Sequence, residues 1–536
     1  MPQPSSVREQ PLERSGASRL LRSSSVVGAA TLLSRVAGLA RDIALARFAG
    51  AGDAADAFFV AFKIPNFFRR LFAEGAFAQA FVPVLSEYRQ KGGIAAARAL
   101  NDRVAGALGG VLLLITLLGV MCAPVVAGIF AFGWWWDGSE REKFDLTADM
   151  LRITFPYLML ISLAGFTGAT LNSFDRFAIP ALTPVLLNLM LIAAATVAST
   201  WFEPPIMALA WGVLAAGVAQ LLFQLPFLAR EGLLPRPRWD WSHPGVRKIL
   251  RLMGPALFGV SVTQISLVLD TLLASFLPSG SVSWLYFSDR LTELPLGVFG
   301  VAVATVILPS LSRQHSDGDP RRFRHTLDWA LRSVTLISLP AAVALIVLAE
   351  PLLTTLFQYG RMEPRDMQMA AWSLRAYALG LLAFMLIKVL APGYFSRQDT
   401  YTPMRFGLIA ISAKMVLSLL FVIPLNYFFK LGHMGLALAT ACQAGINAWL
   451  LYRGLRRDDV YKPEAGWGIF LLRLLLANLT MVGVLLGALY FWSAWGDWSW
   501  SGRAWRMGLV VAAGGLTYVA VLFASGLRPG HFRATS

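Results

Sequence analysis

The chain has few of the residues from which soluble catalytic and metal sites are built. Its 536 residues include two cysteines and five histidines. Cys122 and Cys442 are far apart and each lies in an apolar stretch, so we predict neither a disulfide framework nor a metal site. The sequence also lacks a phosphate-cradling glycine loop and a hydrolase nucleophile elbow. We therefore expect a protein that is not an enzyme and binds no cofactor.

Charged residues are also scarce, at 15%, whereas hydrophobic residues make up 56% and the mean hydropathy is +0.59. A globular surface needs more polar side chains than this composition supplies. Apolar runs such as 109–120, 186–197 and 336–348 lack the alternation of a barrel strand. About 20 apolar residues in a helix span the hydrocarbon of a bilayer. The sequence thus predicts an all-α polytopic membrane protein.

Proline, glycine and charge clusters divide the chain into about fourteen predicted transmembrane helices. These start near residues 24, 55, 103, 146, 180, 205, 247, 283, 326, 366, 403, 432, 466 and 503. The predicted parts are a disordered cytoplasmic leader at 1–22, an N-terminal lobe of helices 1–6 at 23–231, a C-terminal lobe of helices 7–12 at 244–456, helices 13–14 at 464–527 and a cytoplasmic tail at 528–536.

The basic residues orient these helices. A net charge of +16 suggests nucleic acid in a soluble protein, but here Lys and Arg concentrate in alternate loops. If the N-terminus is cytoplasmic, twenty-one lie in the cytoplasmic loops. The opposite loops carry six, which are Arg141, Lys143, Arg361, Arg365, Lys430 and Arg503. We therefore predict that both termini are cytoplasmic and that nucleic acid is not a partner.

Short segments recur at a nearly constant separation, which indicates a duplicated half. The paired segments are Pro83-Val84-Leu85-Ser86 with Pro309-Ser310-Leu311-Ser312, Leu151-Arg152 with Leu374-Arg375, and Thr183-Pro184 with Thr402-Pro403. Their offsets are 226, 223 and 219 residues. Six predicted helices separate the mates, so the two lobes should have the same orientation and be related by an axis along the membrane normal. Alternating access between two lobes is the expected mechanism.

Several ionic residues lie within membrane-length segments. In helix one they are Arg35, Arg41 and Asp42; in helix two Asp56, Lys63, Arg69, Arg70 and Glu74; in helix seven Asp270; in helix eight Asp289, Arg290 and Glu293. Positions 56, 63, 70 and 74 fall close to one face of a helix. An ion at the bilayer centre costs about 3 kcal/mol or more, so we expect these side chains to face a cavity.

Two interpretations of these ions are open. Arg41–Asp42, Arg70–Glu74 and the group at 289–293 could be pairs that neutralise each other and pin the bundle together. Arg35, Arg69 and Arg290 exceed the local carboxylates, and guanidinium suits bidentate phosphate binding. This second interpretation predicts a substrate with more than one negative charge.

Two lysines lie in predicted helices ten and eleven. Snorkelling to the interface is favoured for Lys388. Lys414 sits deeper, and it could pair with Asp270 and replace or compete with a coupling cation. Snorkelling is the alternative for Lys414 as well.

Long motifs near the N-terminus resemble a known family. The runs SRVAGLARD at 34–42, DAFFVAFKIPN at 56–66 and RRLFAEGAF at 69–77 closely resemble the signature of the MurJ (MviN) lipid II flippases. The resemblance continues in QIS at 264–266, GSVSW at 280–284, DRL at 289–291, APG at 391–393 and SRQD at 396–399. It covers nearly the whole chain from about residue 22.

The resemblance implies the fold of the multidrug/oligosaccharidyl-lipid/polysaccharide exporter superfamily, with fourteen helices. It implies transport of lipid II, the undecaprenyl-pyrophosphate-linked peptidoglycan precursor, from the cytoplasmic to the periplasmic leaflet of the bacterial inner membrane, in peptidoglycan biosynthesis. Helices 13 and 14 would form a groove for the polyprenyl tail. The partners implied are lipid II, membrane lipids and cell-wall synthesis proteins, with the protein working as a monomer.

By the same resemblance, the residues needed for activity match Arg35, Arg41, Asp56, Arg69 and Arg290. We expect a supporting set in the same cavity, namely Lys63, Arg70, Glu74, Asp289 and Glu293. Coupling to sodium is in question, since Lys414 and Ser418 stand where a cation site needs oxygen ligands. Three alternatives remain: an exporter of another polyprenyl-linked saccharide, a drug/cation antiporter of the same superfold, and a membrane scaffold that transports nothing.

Overall fold

The computed structural model describes residues 12–70, 76–136, 138–297 and 301–528. Within these ranges the chain is almost entirely helical. The helices are α1 Leu12–Ala49, α2 Asp53–Arg69, α3 Ala76–Met121, α4 Ala123–Phe130, α5 Phe132–Trp136, α6 Arg141–Thr154, α7 Pro156–Ser173, α8 Ala178–Thr196, α9 Met207–Arg230, α10 Pro244–Ala274, α11 Ser281–Pro295, α12 Val301–Ser316, α13 Pro320–Val347, α14 Ala349–Phe357, α15 Pro364–Phe395, α16 Tyr401–Phe429, α17 Gly432–Arg457, α18 Trp467–Phe491 and α19 Trp500–Ala524.

Ten helices in the described ranges are long and apolar enough to cross a membrane. They include α8, α9, α13 and α15 to α19, together with Phe77–Met121 and the continuous stretch Arg141–Ser173. The all-α polytopic fold is therefore confirmed. The count of fourteen spans stays a prediction. Helix α1 carries ionic residues that lower its hydropathy, and α2 and α11 are short, with 17 and 15 residues. The described residues begin at Leu12, the first residue of α1, so the first half of the predicted leader and nearly all of the predicted tail lie outside them.

The chain divides into two compact units. The first is drawn from Met1–Leu45, Ala61–Ala127 and Asp145–Ser261, and the second from Ala46–Val60, Gly128–Phe144 and Val262–Ser536. These units differ from the predicted lobes at three places. Residues 46–60 and 128–144 belong by sequence to the N-terminal lobe but pack within the second unit, and residues 244–261 belong by sequence to the C-terminal lobe but pack within the first unit.

Both units repeat one packing pattern. In the first, α7 packs against α3 and α9, and α8 packs against α9; in the second, α15 packs against α13 and α17, and α16 packs against α17. The helix ends repeat as well. After α7, Asp175 has a φ of 63°, and after α15, Gln398 has a φ of 62°. These residues are 223 positions apart, the same offset that relates the Leu-Arg pairs.

The following residue closes the same C-terminal motif in both places. The Arg176 N–H donates to the carbonyl of Leu171, and the Asp399 N–H donates to the carbonyl of Tyr394. A six-to-one bond of this kind, with a left-handed residue before the donor, is a Schellman ending. The shared endings support the internal repeat that the sequence predicts.

Helices α18 and α19 pack on one face only. Leu474 and Met481 of α18 and Val510 of α19 are buried in a common apolar cluster, and the Tyr518 hydroxyl donates to the Leu336 carbonyl of α13 at 2.8 Å. The other faces of both helices carry exposed apolar side chains, as expected for helices whose outer surfaces meet lipid chains.

Candidate functional site

The ionic segment of α1 contains a buried ion pair. Arg41 is 8% exposed, and both its Nε and its Nη2 donate to Oδ1 of Asp42, at 3.0 and 2.7 Å. The Arg41 Nη1 donates to Oδ1 of Asn188 on α8 at 3.1 Å, and the Asn188 amide in turn donates to the Ser34 carbonyl at 3.2 Å. The interpretation of Arg41 and Asp42 as a neutralising pair is therefore confirmed in this conformation.

Arg35 is placed differently from Arg41. Its side chain is half-buried, and no hydrogen-bond or ion-pair partner for it occurs in the part of the chain that the structure describes. The salt bridge described within this helix joins Arg41 and Asp42 instead. A half-buried guanidinium without a protein partner is stable only where water or an anion reaches it.

The structure places Arg69 and Arg41 near the same buried tyrosine, Tyr157. The Arg69 Nε donates to Oδ1 of Asn66 at 3.2 Å. The buried Tyr157 lies within electrostatic range of both guanidiniums, and its hydroxyl contacts Oε1 of Gln220 at 3.4 Å. Two of the predicted substrate-binding arginines thus share one neighbourhood in the first unit.

The supporting residues of predicted helix two have different environments. Lys63 is half-buried on α2, while Arg70 is exposed just beyond the end of that helix. Glu74 lies outside the described residues, so its predicted pairing with Arg70 stays a prediction. The continuous ionic face predicted from positions 56 to 74 is therefore described only in part.

Asp56 does not lie on an open ionic face. Its side chain is 1% exposed, and it accepts hydrogen bonds from the backbone N–H of Gly280 and of Ser283, both at 2.8 Å, and from the Ser283 hydroxyl at 2.5 Å. These donors lie at the N-terminus of α11, on its N-cap residue Gly280 and in its first turn, where unpaired N–H groups and the helix dipole favour a carboxylate. In this conformation Asp56 caps a helix, which differs from its predicted place in the cavity.

Lys143, which the sequence places among the loop charges, neutralises this carboxylate. Its side chain is 2% exposed, and its Nζ lies 3.0 Å from Oδ1 of Asp53, 3.3 Å from Oδ2 of Asp56 and 3.3 Å from Oε2 of Glu140. The ammonium also lies 4.4 Å from the centroid of the Trp134 ring. Burial raises the pKa of the Glu140 carboxyl.

A local signal for Lys143 exists in the sequence. Glu140 precedes it by three residues, which places both on one helical turn, and the Trp-rich run 134–136 lies just upstream. The partners at 53 and 56 could not be found this way, because they are distant in sequence.

Arg290 on α11 is partly neutralised. Its Nη1 contacts Oε2 of Glu293 at 2.7 Å, and its guanidinium lies 4.9 Å from the Tyr286 ring. The Tyr286 ring stacks on Phe59 at 4.1 Å between centroids. The Arg290 side chain remains 36% exposed, so part of the guanidinium faces solvent.

The carboxylates around Arg290 make this region acidic. Asp289 and Glu293 are both exposed on α11. Tyr377 of α15 lies within electrostatic range of both and of Asp270. The structure thus gathers Asp270, Asp289 and Glu293 around one tyrosine.

Lys414 forms the ion pair that the sequence suggested. Its side chain is 5% exposed, and its Nζ donates to Oδ2 of Asp270 at 2.5 Å and to the Ser266 hydroxyl at 2.9 Å. A cavity of about 450 Å³ adjoins the pair and is also lined by Ser418. The predicted contact between α10 and α16 is confirmed, and an ammonium occupies the position beside the Asp270 carboxylate.

Known proteins match this chain over most of its length. A family model described as Lipid II flippase MurJ matches residues 45–501. The chain belongs to the lipid II flippase MurJ family. A protein of Vibrio cholerae named as a probable lipid II flippase MurJ is 49% identical over 97% of this chain and 98% of its own length. The lipid II flippase MurJ of Burkholderia cenocepacia is 40% identical over 96% of this chain and 99% of its own length.

Solved structures agree with this membership. The structure titled "Lipid II flippase MurJ, inward closed conformation" matches with a TM-score of 0.74 at 26% identity, covering 92% of this chain and 97% of that one. A multidrug resistance MATE family transporter of the MOP superfamily, in an inward-facing conformation, matches with a TM-score of 0.63 at 16% identity, over 81% of this chain and 98% of that one. The second likeness shows a common fold.

Proposed function

We propose that this protein moves lipid II across the bacterial inner membrane, from the cytoplasmic to the periplasmic leaflet, by alternating access. The observation that carries the proposal is the match to proteins named as lipid II flippases over nearly the full length of the chain. The guanidiniums in the membrane-length helices agree with it, because a pyrophosphate needs such donors in a wet cavity. The cycle needs no covalent step.

Arg35, Arg41, Arg69 and Arg290 are the residues that we propose bind the pyrophosphate. Arg35 is the strongest of these, because nothing in the described chain neutralises it. The Arg41 side chain shares its charge with Asp42, so it contributes a weaker field. Lys63, Arg70 and Glu74, with Asp289 and Glu293, would support the headgroup through polar contacts.

Asp56 takes a different role in this proposal. Its oxygens are engaged by the first turn of α11 and by Lys143. A carboxylate with four donors around it is a poor ligand for an anionic lipid. We infer that Asp56 stabilises one conformation of the cycle by joining residues 46–60 to α11, and that the contact is released in another.

Lys414 and Asp270 are the proposed coupling pair. An ammonium already fills the position that a free cation would take beside this carboxylate. Transport would then depend on the membrane potential or on protons instead of sodium. The cavity beside the pair is lined by the hydroxyl-bearing residues Ser266 and Ser418.

Helices α18 and α19 are the proposed site for the polyprenyl tail of the substrate. The apolar outer faces of α18 and α19 suit a long polyprenyl chain that stays outside the polar path. The charge asymmetry of the loops supports a cytoplasmic position for both termini. The protein would act as a monomer, with cell-wall synthesis proteins as its partners in the membrane.

Depletion of the protein tests the proposal. In cells that hold no second flippase, depletion should reduce the lipid II that an impermeant reagent reaches on the outer leaflet, while total lipid II rises. An unchanged outer pool would refute the proposed function. If the protein were instead a scaffold that transports nothing, cells would grow with only a variant copy of it, whether Arg35→Ala, Arg69→Ala or Arg290→Ala. A transporter that uses these arginines predicts that such cells do not grow.

A further inference from the structure

A polar cavity unrelated to the transport residues lies in the second unit. It has a volume of about 930 Å³ and is formed where α14 and the start of α15 meet the end of α18. Its polar lining residues include Glu350, Thr354, Arg375, Ser493 and Trp495. None of these belongs to the proposed pyrophosphate or coupling sites.

Two opposite charges line this cavity without neutralising each other. Arg375 is half-buried, and its described contacts are a long hydrogen bond from Nε to the Ile346 carbonyl, at 3.4 Å, and the Trp372 ring, 5.0 Å from its guanidinium. Glu350 is also half-buried, and no hydrogen bond or ion pair involves it in the described chain. A guanidinium and a carboxylate held apart in one cavity suit a ligand that carries both charges.

Trp495 adds an unpaired donor. Its side chain is 7% exposed, and its Nε1 has no hydrogen-bond partner in the described chain. The indole N–H can only donate, so an acceptor on a ligand would satisfy it. Leaving such a group buried and unpaired costs about 1 to 3 kcal/mol. The need for an acceptor agrees with an anionic oxygen near Arg375.

Arg503 holds the wall of the cavity in place. It is 6% exposed, its Nη1 donates to the carbonyls of Thr354 and Gln358 at 3.0 and 3.1 Å, and its Nη2 donates to the carbonyl of Gly496 at 2.7 Å. One guanidinium thereby joins the end of α14 to the segment after α18. Thr354 and Gly496, which this guanidinium joins, both line the cavity.

The surroundings place the cavity at the level of lipid headgroups. Trp372, whose ring lies 5.0 Å from the Arg375 guanidinium, is 41% exposed, and exposed tryptophans concentrate at membrane interfaces. Helix α15 has 32 residues, so at about 48 Å it is longer than the hydrocarbon core. Its first turns can stand in the headgroup layer, and the long Arg375 side chain can reach that layer.

We propose that this cavity binds the headgroup of a phospholipid that carries both a phosphate and a primary ammonium, such as phosphatidylethanolamine. The phosphate is bound by Arg375 and the Trp495 N–H, and the ammonium is bound by Glu350. The acyl chains leave along Val347 and Leu489, which are apolar lining residues. With the predicted orientation, the lipid belongs to the outer leaflet.

Native mass spectrometry of the detergent-purified full chain tests this site. The wild type should bind phosphatidylethanolamine about tenfold more tightly than phosphatidylglycerol, the gain expected of one charge-assisted contact. Arg375→Gln should weaken binding of both lipids by about tenfold. Glu350→Gln should remove the preference by weakening phosphatidylethanolamine alone. Arg365→Gln, which changes an exposed arginine on the same helix that does not line the cavity, should leave both affinities unchanged.

Two controls separate the possible results. Melting temperatures measured without added lipid show whether each variant is folded, and only folded variants are compared. Soluble glycerophosphoethanolamine at millimolar concentration should displace the lipid from the wild type and not from Arg375→Gln, if the headgroup is what binds. Equal binding of both lipids by the wild type, or an unchanged preference in Glu350→Gln, would overturn the proposal.

Discussion

Replacement of Lys143 by methionine tests the charge cluster around Asp56. The change keeps the length and apolar stem of the side chain and removes the ammonium, which lies 3.0 to 3.3 Å from three carboxylates. The Asp53 side chain is 62% exposed, so solvent screens its loss of a partner. The Asp56 side chain is 1% exposed, so its charge would be left buried with neutral donors only.

The size of the effect follows from those donors. Removing one partner of a buried ion pair destabilises by about 3 to 5 kcal/mol. Asp56 would retain two backbone N–H donors and the Ser283 hydroxyl, so we expect the lower end, about 3 kcal/mol. The variant should show a lower melting temperature. Lys430→Met, which changes an exposed lysine counted on the same predicted membrane face, should leave the melting temperature unchanged.

A double-mutant cycle with Asp56→Asn isolates the pair. Each single variant should be destabilised, because each leaves part of the cluster uncompensated. The double variant Lys143→Met with Asp56→Asn should be more stable than the sum of the two single effects predicts, because both charges are then gone. Additive effects, or a normal melting temperature for Lys143→Met, would refute the ion-pair argument.

Three further predictions concern other groups. Arg35→Ala should lower lipid II transport in proteoliposomes by tenfold or more with an unchanged melting temperature. The control Arg47→Ala, at an exposed position near the end of the same helix, should transport normally. Equal transport by the two variants would remove Arg35 from the site. Lys414→Met alone should lower the melting temperature and abolish sodium-independent transport, because it leaves the Asp270 carboxylate without its buried partner. The double variant Lys414→Met with Asp270→Asn should recover the melting temperature. Full transport by Lys414→Met would exclude a coupling role for Lys414. Burial raises the Glu140 pKa above its ordinary value of 4.5, so this group contributes stability that is present below pH 4.5 and is lost as the pH rises through the folded-state pKa. Glu140→Gln should therefore narrow the difference between the melting temperatures measured at pH 4 and at pH 7. An unchanged difference would show that Glu140 is not responsible for it.

The start residues of the most apolar membrane helices could be predicted from the sequence to within a few residues. The last two were predicted to start near 466 and 503, and α18 and α19 begin at Trp467 and Trp500. Hydropathy is a property of a short stretch of sequence, so such a helix can be recognised without knowing its distant contacts. Lys414 and Asp270 were also predictable as partners, because two opposite charges buried in apolar helices have few alternatives to each other.

The cluster around Asp56 could not be predicted in the same way. A helical face shows which residues share a side, but it does not show that the N-terminus of a helix, 224 residues later in the sequence, meets one of them. Two of the four donors to Asp56 are backbone N–H groups, which leave no mark in the side-chain pattern. Asn188 poses the same difficulty, because an amide on α8 completes the environment of Arg41 from 147 residues away.

The ionic residues of this protein differ in what neutralises them, and that difference indicates where substrate first binds. Arg41 has Asp42, Lys414 has Asp270, and the Asp56 carboxylate has Lys143. An ion that already has a buried partner must lose that partner before it can bind a new one, which opposes binding by several kcal/mol. Arg35 has no such partner in the described chain, so an incoming pyrophosphate displaces only water from it. We therefore expect Arg35 to make the first contact with the headgroup, and the paired residues to act in later steps, when their partners have moved.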